Sequence, residues 1–212
     1  YEEVRKRGIR ISIGFSNEEG IQVDKHSTSY GYHIVGAFQT YSHIIALHTS
    51  SNYVLHKIQT PDHFLVNTPN NFFSIHKSNK YIVWRYIDKP NNDYVLYSIV
   101  HEGSCIGYVV LKDDLMRTHV IDIITDHNAV DEMKEIIIAI NNVVLDRGKR
   151  LAIYSILDNV YWRSIFKSTL AFRKQLQRKK YYLTAKKHDL KEIDERELFD
   201  VNNWRCFVGD IL

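Results

Sequence analysis

His119-Val120-Ile121-Asp122-Ile123-Ile124-Thr125-Asp126, then His127-Asn128-Ala129, then Val130 through Arg150: this stretch decides the fold. Its first part is apolar and β-branched, as a buried strand is. From Val130 the period changes. Val130, Met133, Ile137, Ile140 and Val144, widened by Ile136 and Val143, recur at spacings of three and four, the stripe of an amphipathic helix. Asn128 is placed to cap that helix, with Asp131 three residues on, and Arg147-Gly148 to end it. Where a strand feeds a helix directly, the helix's unpaired N–H groups and its dipole make an anion site. No glycine stands in this turn, so side chains hold the backbone away from a ligand.

Outward from it, the 212 residues suit one good-sized domain, or one domain with part of another. At 44% hydrophobic the chain can bury a core, and its net charge of +3 is too small to demand nucleic acid. No window approaches the 18 or so consecutive apolar residues of a membrane span. Cys105 and Cys206 stand far apart in apolar, strand-like contexts, which reads as two reduced thiols in a cytoplasmic protein. Tyr1–Arg7 reads as the last turns of a helix capped by Gly8, so the chain is expected to continue something longer.

Ile9–Phe15 and Tyr32–Leu47 are extended, separated by a turn or helix start at Ser16-Asn17-Glu18-Glu19-Gly20. The polar Thr49-Ser50-Ser51-Asn52 suggests a unit boundary. Tyr53–Ile58 is then a strand, and Ser78-Asn79 caps a helix through Asp88, ended by Pro90. Asp93–His101 and Cys105–Lys112 form a hairpin through Glu102-Gly103-Ser104. After the strand and helix already described come a strand at Arg150–Leu157 and a short helix at Asn159–Leu170. Extended segments at Phe172–Lys186 and Trp204–Ile211 close the chain. This order predicts an α+β sheet with a hairpin meander at its centre.

The order is similar to that of the GCN5-related N-acetyltransferase (GNAT) fold, and the residues extend the resemblance. Trp84-Arg85-Tyr86 followed by Pro90 resembles the pattern before the central hairpin in a group of bacterial acetyltransferase-like proteins. Gly107-Tyr108-Val109-Val110-Leu111-Lys112 resembles their next strand, and His119–Asp126 their fourth. Asn203-Trp204-Arg205-Cys206-Phe207-Val208-Gly209-Asp210 resembles their closing segment. Gly14-Phe15-Ser16-Asn17 and Gly31-Tyr32-His33-Ile34-Val35-Gly36 are similar to the tail of such a unit. The resemblance implies an acyl-CoA N-acyltransferase fold, a mixed central sheet with helices on both faces. Residues 1–48 would be the C-terminal remnant of a first unit in a tandem protein, and 49–212 a second GNAT-like domain.

By that resemblance the activity is transfer of an acetyl or acyl group from acyl-CoA to a small-molecule amine, with an amino sugar of surface-polysaccharide synthesis as one acceptor. The thioester arm would lie in a splay between His119–Asp126 and Leu151–Leu157, beside Ile124, Thr125, Asp126, His127, Asn128 and Asn159. Asp122 would be the base and Tyr161 the acid; Arg85 and Tyr154 would face the substrate. Plainer readings stand beside these. Asp122 alternates with Ile121 and Ile123, so it can sit on a polar face. Asp126 and His127 can serve the turn, Tyr161 and Trp162 the core, and Arg85 an ion pair. Trp84 and Tyr86 read as packing residues. The family's glycine-bearing phosphate loop has no counterpart in Asp126–Met133, where Asp126 and Asp131 would repel a diphosphate. The unit could therefore be catalytically degenerate, a non-catalytic substrate-binding or structural module. The basic residues Arg173, Lys174, Arg178, Lys179, Lys180, Lys186 and Lys187, interleaved with Tyr181 and Tyr182, read as a solvated edge hairpin before nucleic-acid contact. The 11 histidines show no metal spacing.

Overall fold

A tight turn sets the centre of the sheet. Glu102 and Gly103 both take positive φ, 49° and 78°, so β5 (Tyr94–His101) and β6 (Ser104–Asp113) join through a two-residue loop whose twist matches theirs. The computed structural model describes residues 6–26, 31–61, 72–90, 93–167, 172–176, 180–188 and 193–211. Before the hairpin lie β1 (Ile11–Asn17), α1 (Glu18–His26), β2 (His33–Ile44), β3 (Tyr53–Ile58), β4 (Phe73–Ser74) and α2 (Asn79–Ile82). After it lie β7 (Thr118–Thr125), α3 (Val130–Asp146), β8 (Leu151–Leu157), α4 (Val160–Lys167), β9 (Phe172–Lys174), β10 (Tyr181–Lys187), α5 (Glu195–Phe199) and β11 (Trp204–Arg205). The main sheet runs β1-β10-β2-β8-β7-β6-β5-β3, with β9 beside β2; β11 pairs with β4 apart from it.

The sheet is mixed. Antiparallel pairing holds throughout except between β7 and β8, the one parallel pair within it. The helix α3 crosses between those two, as a parallel connection requires. Its stripe buries Met133, Ile136, Ile137, Ile140 and Val144 against Val109, Leu111, Val120 and Ile123, and α4 adds Trp162, Ile165 and Phe166 to the same core. The opposite face carries α2 and the turn that follows it, packed through Ile82 and Tyr86 on Tyr108, Val110, Ile121 and Ile124. A further cluster joins Val35, Phe38, Leu157 and Leu183 to Leu198, Trp204 and Cys206. Burying each such aliphatic or aromatic side chain contributes about 1.5–3 kcal/mol, so these clusters carry the fold.

Several expectations change in detail. The cap of α3 falls at Ala129, and Glu132 reaches back to accept the Ala129 N–H at 3.0 Å; the Asn128 amide instead donates to the Thr125 carbonyl at 3.2 Å. The helix foreseen through Asp88 is α-helical only to Ile82, then widens into a π-turn at Val83–Ile87, closed by Asp88 N–H to Val83 O at 2.9 Å. That turn points Tyr86 inward and leaves Trp84 61% exposed, so only one of the two aromatics packs. The closing strand shrinks to Trp204–Arg205. The basic stretch is no edge hairpin, because β10 is covered by β1 and β2 on its two sides; Arg178 and Lys179 lie outside the described residues, as do Tyr1–Arg5 of the expected first helix. Gly8 does take the left-handed φ of a helix cap, +66°.

Candidate functional site

The parallel neighbours β7 and β8 stay paired only at Thr118↔Ala152, His119↔Ile153 and Val120↔Tyr154. Beyond Val120 they part, and a wedge opens toward the N-terminus of α3. One cause is local. The register of β6 on β7 shifts so that Leu111 faces Val120 and Val110 faces Asp122, leaving Ile121 as the extra residue of a β-bulge. A bulge bends its strand and re-aims a side chain. Strict alternation would set Asp122 opposite both of its neighbours. Instead Ile121 packs in the cluster of Tyr86, and Asp122 reaches that same tyrosine.

The wedge is filled from within the chain. Leu157 N–H donates to Cys206 O at 3.1 Å, and Ile156 bridges Phe207 in antiparallel sense. The Arg85 guanidinium donates through Nε and Nη2 to Gly209 O, at 3.3 and 3.1 Å. Asn159 caps α4 through Trp162 N–H at 3.1 Å and holds Trp204 O at 2.9 Å. Gly209 is required here: a Cβ would stand 2.9 Å from the carbonyl of Ile121 and 2.5 Å from the Tyr86 hydroxyl.

Below this segment lies a buried charge cluster. Lys77 Nζ sits 2.7 and 2.6 Å from the two oxygens of Asp122 and 2.9 Å from Asp210 Oδ1, and the Tyr86 hydroxyl donates to Asp122 at 2.7 Å. Both carboxylates are fully buried. Burial works against the Lys77 ammonium, but the two carboxylates outweigh it and hold its pKa above the usual value. Burial, with the Asp122 charge, pushes the Asp210 carboxyl up against the pull of Lys77. One cation thus faces two carboxyls in the interior, and Asp210 is the one that burial pushes toward its neutral form. Burial and then the Asp122 charge likewise raise Tyr86.

At the mouth of the wedge is a cavity of about 60 Å³, lined among others by Ile124, Thr125, Asn128, Trp162, Arg205 and Phe207. Arg205 enters it with its guanidinium carbon 3.7 Å from the Phe72 ring centre and 3.8 Å from that of Tyr161, a cation held between two aromatic faces. A trough of about 630 Å³ runs elsewhere along α3, past His43, Tyr53, Asp131 and Glu135. Neither the charge cluster nor Arg205 reaches it, whereas Lys77 and Arg205 both line the smaller cavity.

The sequence matches no protein-family profile and no curated protein. Solved structures do match. A GCN5-related N-acetyltransferase from Anabaena variabilis aligns over 87% of this chain and 47% of its own, at TM-score 0.54 and 11% identity. A probable N-acyltransferase from Enterococcus faecalis aligns over 87% and 46%, at 0.58 and 9%. A candidate acetyltransferase from Pyrococcus horikoshii aligns over 98% and 60%, at 0.53 and 8%. The chain has the GNAT fold. It spans about half the length of the first two of these structures.

In the GNAT fold as this chain builds it, the expected residues gather around the wedge unevenly. Asp122 is bound to Lys77 and Tyr86. Ile124, Thr125 and Asn128 line the small cavity, and Asn159 and Arg85 hold the closing segment. Asp126 is exposed, while His127 Nδ1 meets the Tyr53 hydroxyl at 3.1 Å. Tyr161 stacks on Arg205 with its hydroxyl buried, and burial pushes its pKa up to about 12. Tyr154 is elsewhere, fully buried with its hydroxyl on Asn141 Oδ1 at 3.1 Å. Lys77, Tyr86, Arg205 and Asp210 complete the site, and none had been singled out for chemistry. The Gly209-Asp210 pair was visible as part of a closing segment; Lys77 stands in no pattern.

The fit to acyl-CoA fails on this geometry. His127 N–H is taken by Thr125 Oγ1 at 3.1 Å and Ala129 N–H by Glu132, and the first turn of α3 carries Asp131 and Glu132. Those carboxylates satisfy the helix dipole that a diphosphate would use. The strand edge where a pantetheine arm would bond is already bonded to Cys206 and Phe207.

Proposed function

We propose that this chain is the non-catalytic, ligand-holding module of a larger N-acyltransferase. The observation that supports it is the closing segment, which takes the Leu157 N–H and bridges Ile156 along the wedge. Acyl transfer to an amine, with an amino sugar as acceptor, then falls to a preceding GNAT-like unit, and the chain works beside it in the cytoplasm. Asp122 acts here as an anchor, because its oxygens hold the ammonium of Lys77 and the hydroxyl of Tyr86 in place of an incoming amine. The test is calorimetry of this chain with acetyl-CoA. No saturable heat up to about 1 mM is expected, an affinity weaker than about −4 kcal/mol. A dissociation constant in the micromolar range would overturn the reading.

A further inference from the structure

Among the described residues, Arg205 Nε and Trp162 Nε1 at the small cavity have no partner, nor has the buried hydroxyl of Tyr161, whose ring stacks on Arg205. Buried donors are nearly always satisfied, and each one left unmade carries a desolvation cost. All three can donate, and indole and guanidinium can do nothing else. Trp162 is 1% exposed, and both it and Arg205 line the cavity. What is missing is an acceptor.

The guanidinium specifies its shape. Nη1 is spent on Asn202 O at 3.3 Å and Trp204 O at 3.2 Å. The Nε–Nη2 edge remains, two parallel N–H bonds at the spacing of one carboxylate. Among the described residues no acidic side chain lies in ion-pair range of Arg205. Burial lowers its pKa to about 10, so it still carries its charge at neutral pH. Asp122 and Asp210 do not line the cavity and face Lys77, which does. A single unpaired cation calls for a single negative charge. The rest of the lining is mostly apolar, with Ile75, Ile123, Ile124 and Met133 beside the aromatic rings. At about 60 Å³ the space is several times that of one ordered water.

We propose that this cavity binds a small monocarboxylate with an apolar tail, its carboxylate on the Nε–Nη2 edge of Arg205 and the Trp162 N–H, its tail among the isoleucines of β7. This deepens the module reading and rests on it by naming the ligand class. The two fail separately, since acetyl-CoA calorimetry decides one and carboxylate binding the other.

The experiment is ligand-observed NMR of the full chain with acetate, propionate and butyrate, then with butyramide and inorganic phosphate as competitors. Affinity should rise about four-fold per methylene as the tail is buried. Butyramide, the same shape without the charge, and phosphate should not displace butyrate. Trp162→Phe keeps a ring and loses the N–H, and should weaken butyrate about five-fold. Arg205→Met should weaken it more than ten-fold. Should Arg205→Met fail to fold, the acid-against-amide contrast on the parent and Trp162→Phe still decide. The proposal is overturned if butyramide competes as well as butyrate, if phosphate binds equally well, if no carboxylate binds, or if Trp162→Phe leaves the affinity unchanged.

Discussion

Replacing Lys77 with methionine tests the charge cluster directly. The stem is nearly preserved in length and flexibility, so little packing is lost. What goes is the cation that, among the described residues, lies in ion-pair range of two fully buried carboxylates. Removing one partner of a buried ion pair costs about 3–5 kcal/mol, because the remaining charge loses its counter-ion and gains no water in its place. For a chain of this size each kcal/mol moves the melting temperature by about 2–4 °C, so a fall of about 6–20 °C is expected. The sign with pH follows from linkage. Without Lys77 the two carboxyls share one site as like charges, and the folded state holds a proton there above the value near 3.9 of the unfolded chain. A carboxyl whose folded pKa is raised contributes stability that is present below that value and lost as pH rises. The Lys77→Met deficit should therefore be largest near pH 8 and shrink toward pH 4.5. Asp210→Asn, which replaces a carboxyl already pushed toward its neutral form, should cost about 1 kcal/mol or less. Urea unfolding followed by circular dichroism at both pH values measures all of this. A Lys77→Met deficit under about 1 kcal/mol at pH 8, or one that grows on acidification, would refute the reasoning.

Other perturbations read other parts of the structure. Gly209→Ala drives a methyl group toward the Ile121 carbonyl and the Tyr86 hydroxyl, and should cost about 1–3 kcal/mol while exposing the closing segment to limited proteolysis. His43 is buried with Nδ1 on Asn141 at 3.0 Å, and burial lowers its pKa more than that bond raises it. Stability carried by a lowered histidine is present above about 6.5 and lost as pH falls. The parent should weaken between pH 7.5 and 5, and His43→Gln should flatten that slope in urea titrations. Asp158 holds Tyr41 at 2.9 Å and Arg163 at 3.0 Å; burial raises its carboxyl, but Arg163 and Tyr41 outweigh this and lower it. Since Arg163 is half exposed, Asp158→Asn should cost about 1 kcal/mol at pH 7, a difference that begins to shrink only as pH falls below about 4 and is lost through the lowered folded value.

The elements that were legible in the chain are those whose signal is local. The stripe from Val130 to Val144, the Glu102-Gly103 turn and the Trp162-Ile165-Phe166 face each carry their period or turn chemistry within a few residues, and each stands where it was expected. Asp122 was legible as a residue and not as an orientation, because the bulge at Ile121 depends on how β6 registers against β7. Lys77 is separated from Arg205 and Asp210 by more than half the chain, and their meeting is a property of the closed wedge. Nor does any local pattern place β2 between β8 and β10. The absence of glycine at the α3 turn was readable. That Thr125 and Glu132 consume the N–H groups there was not.

The position of β2 and β1 in the sheet also sets an order of events while the chain is being made. Thr40 on β2 bonds Ser155 on β8, 115 residues later, and Ser12 on β1 bonds His188, 176 residues later. At about 5–20 residues per second, the first of these partners follows after about 6–23 s and the second after about 9–35 s. Through that interval two strands synthesised early present unpaired edges, the template on which other chains can pair. The side of the sheet that holds β1 and β2 thus closes only after β8 and β10 have been made.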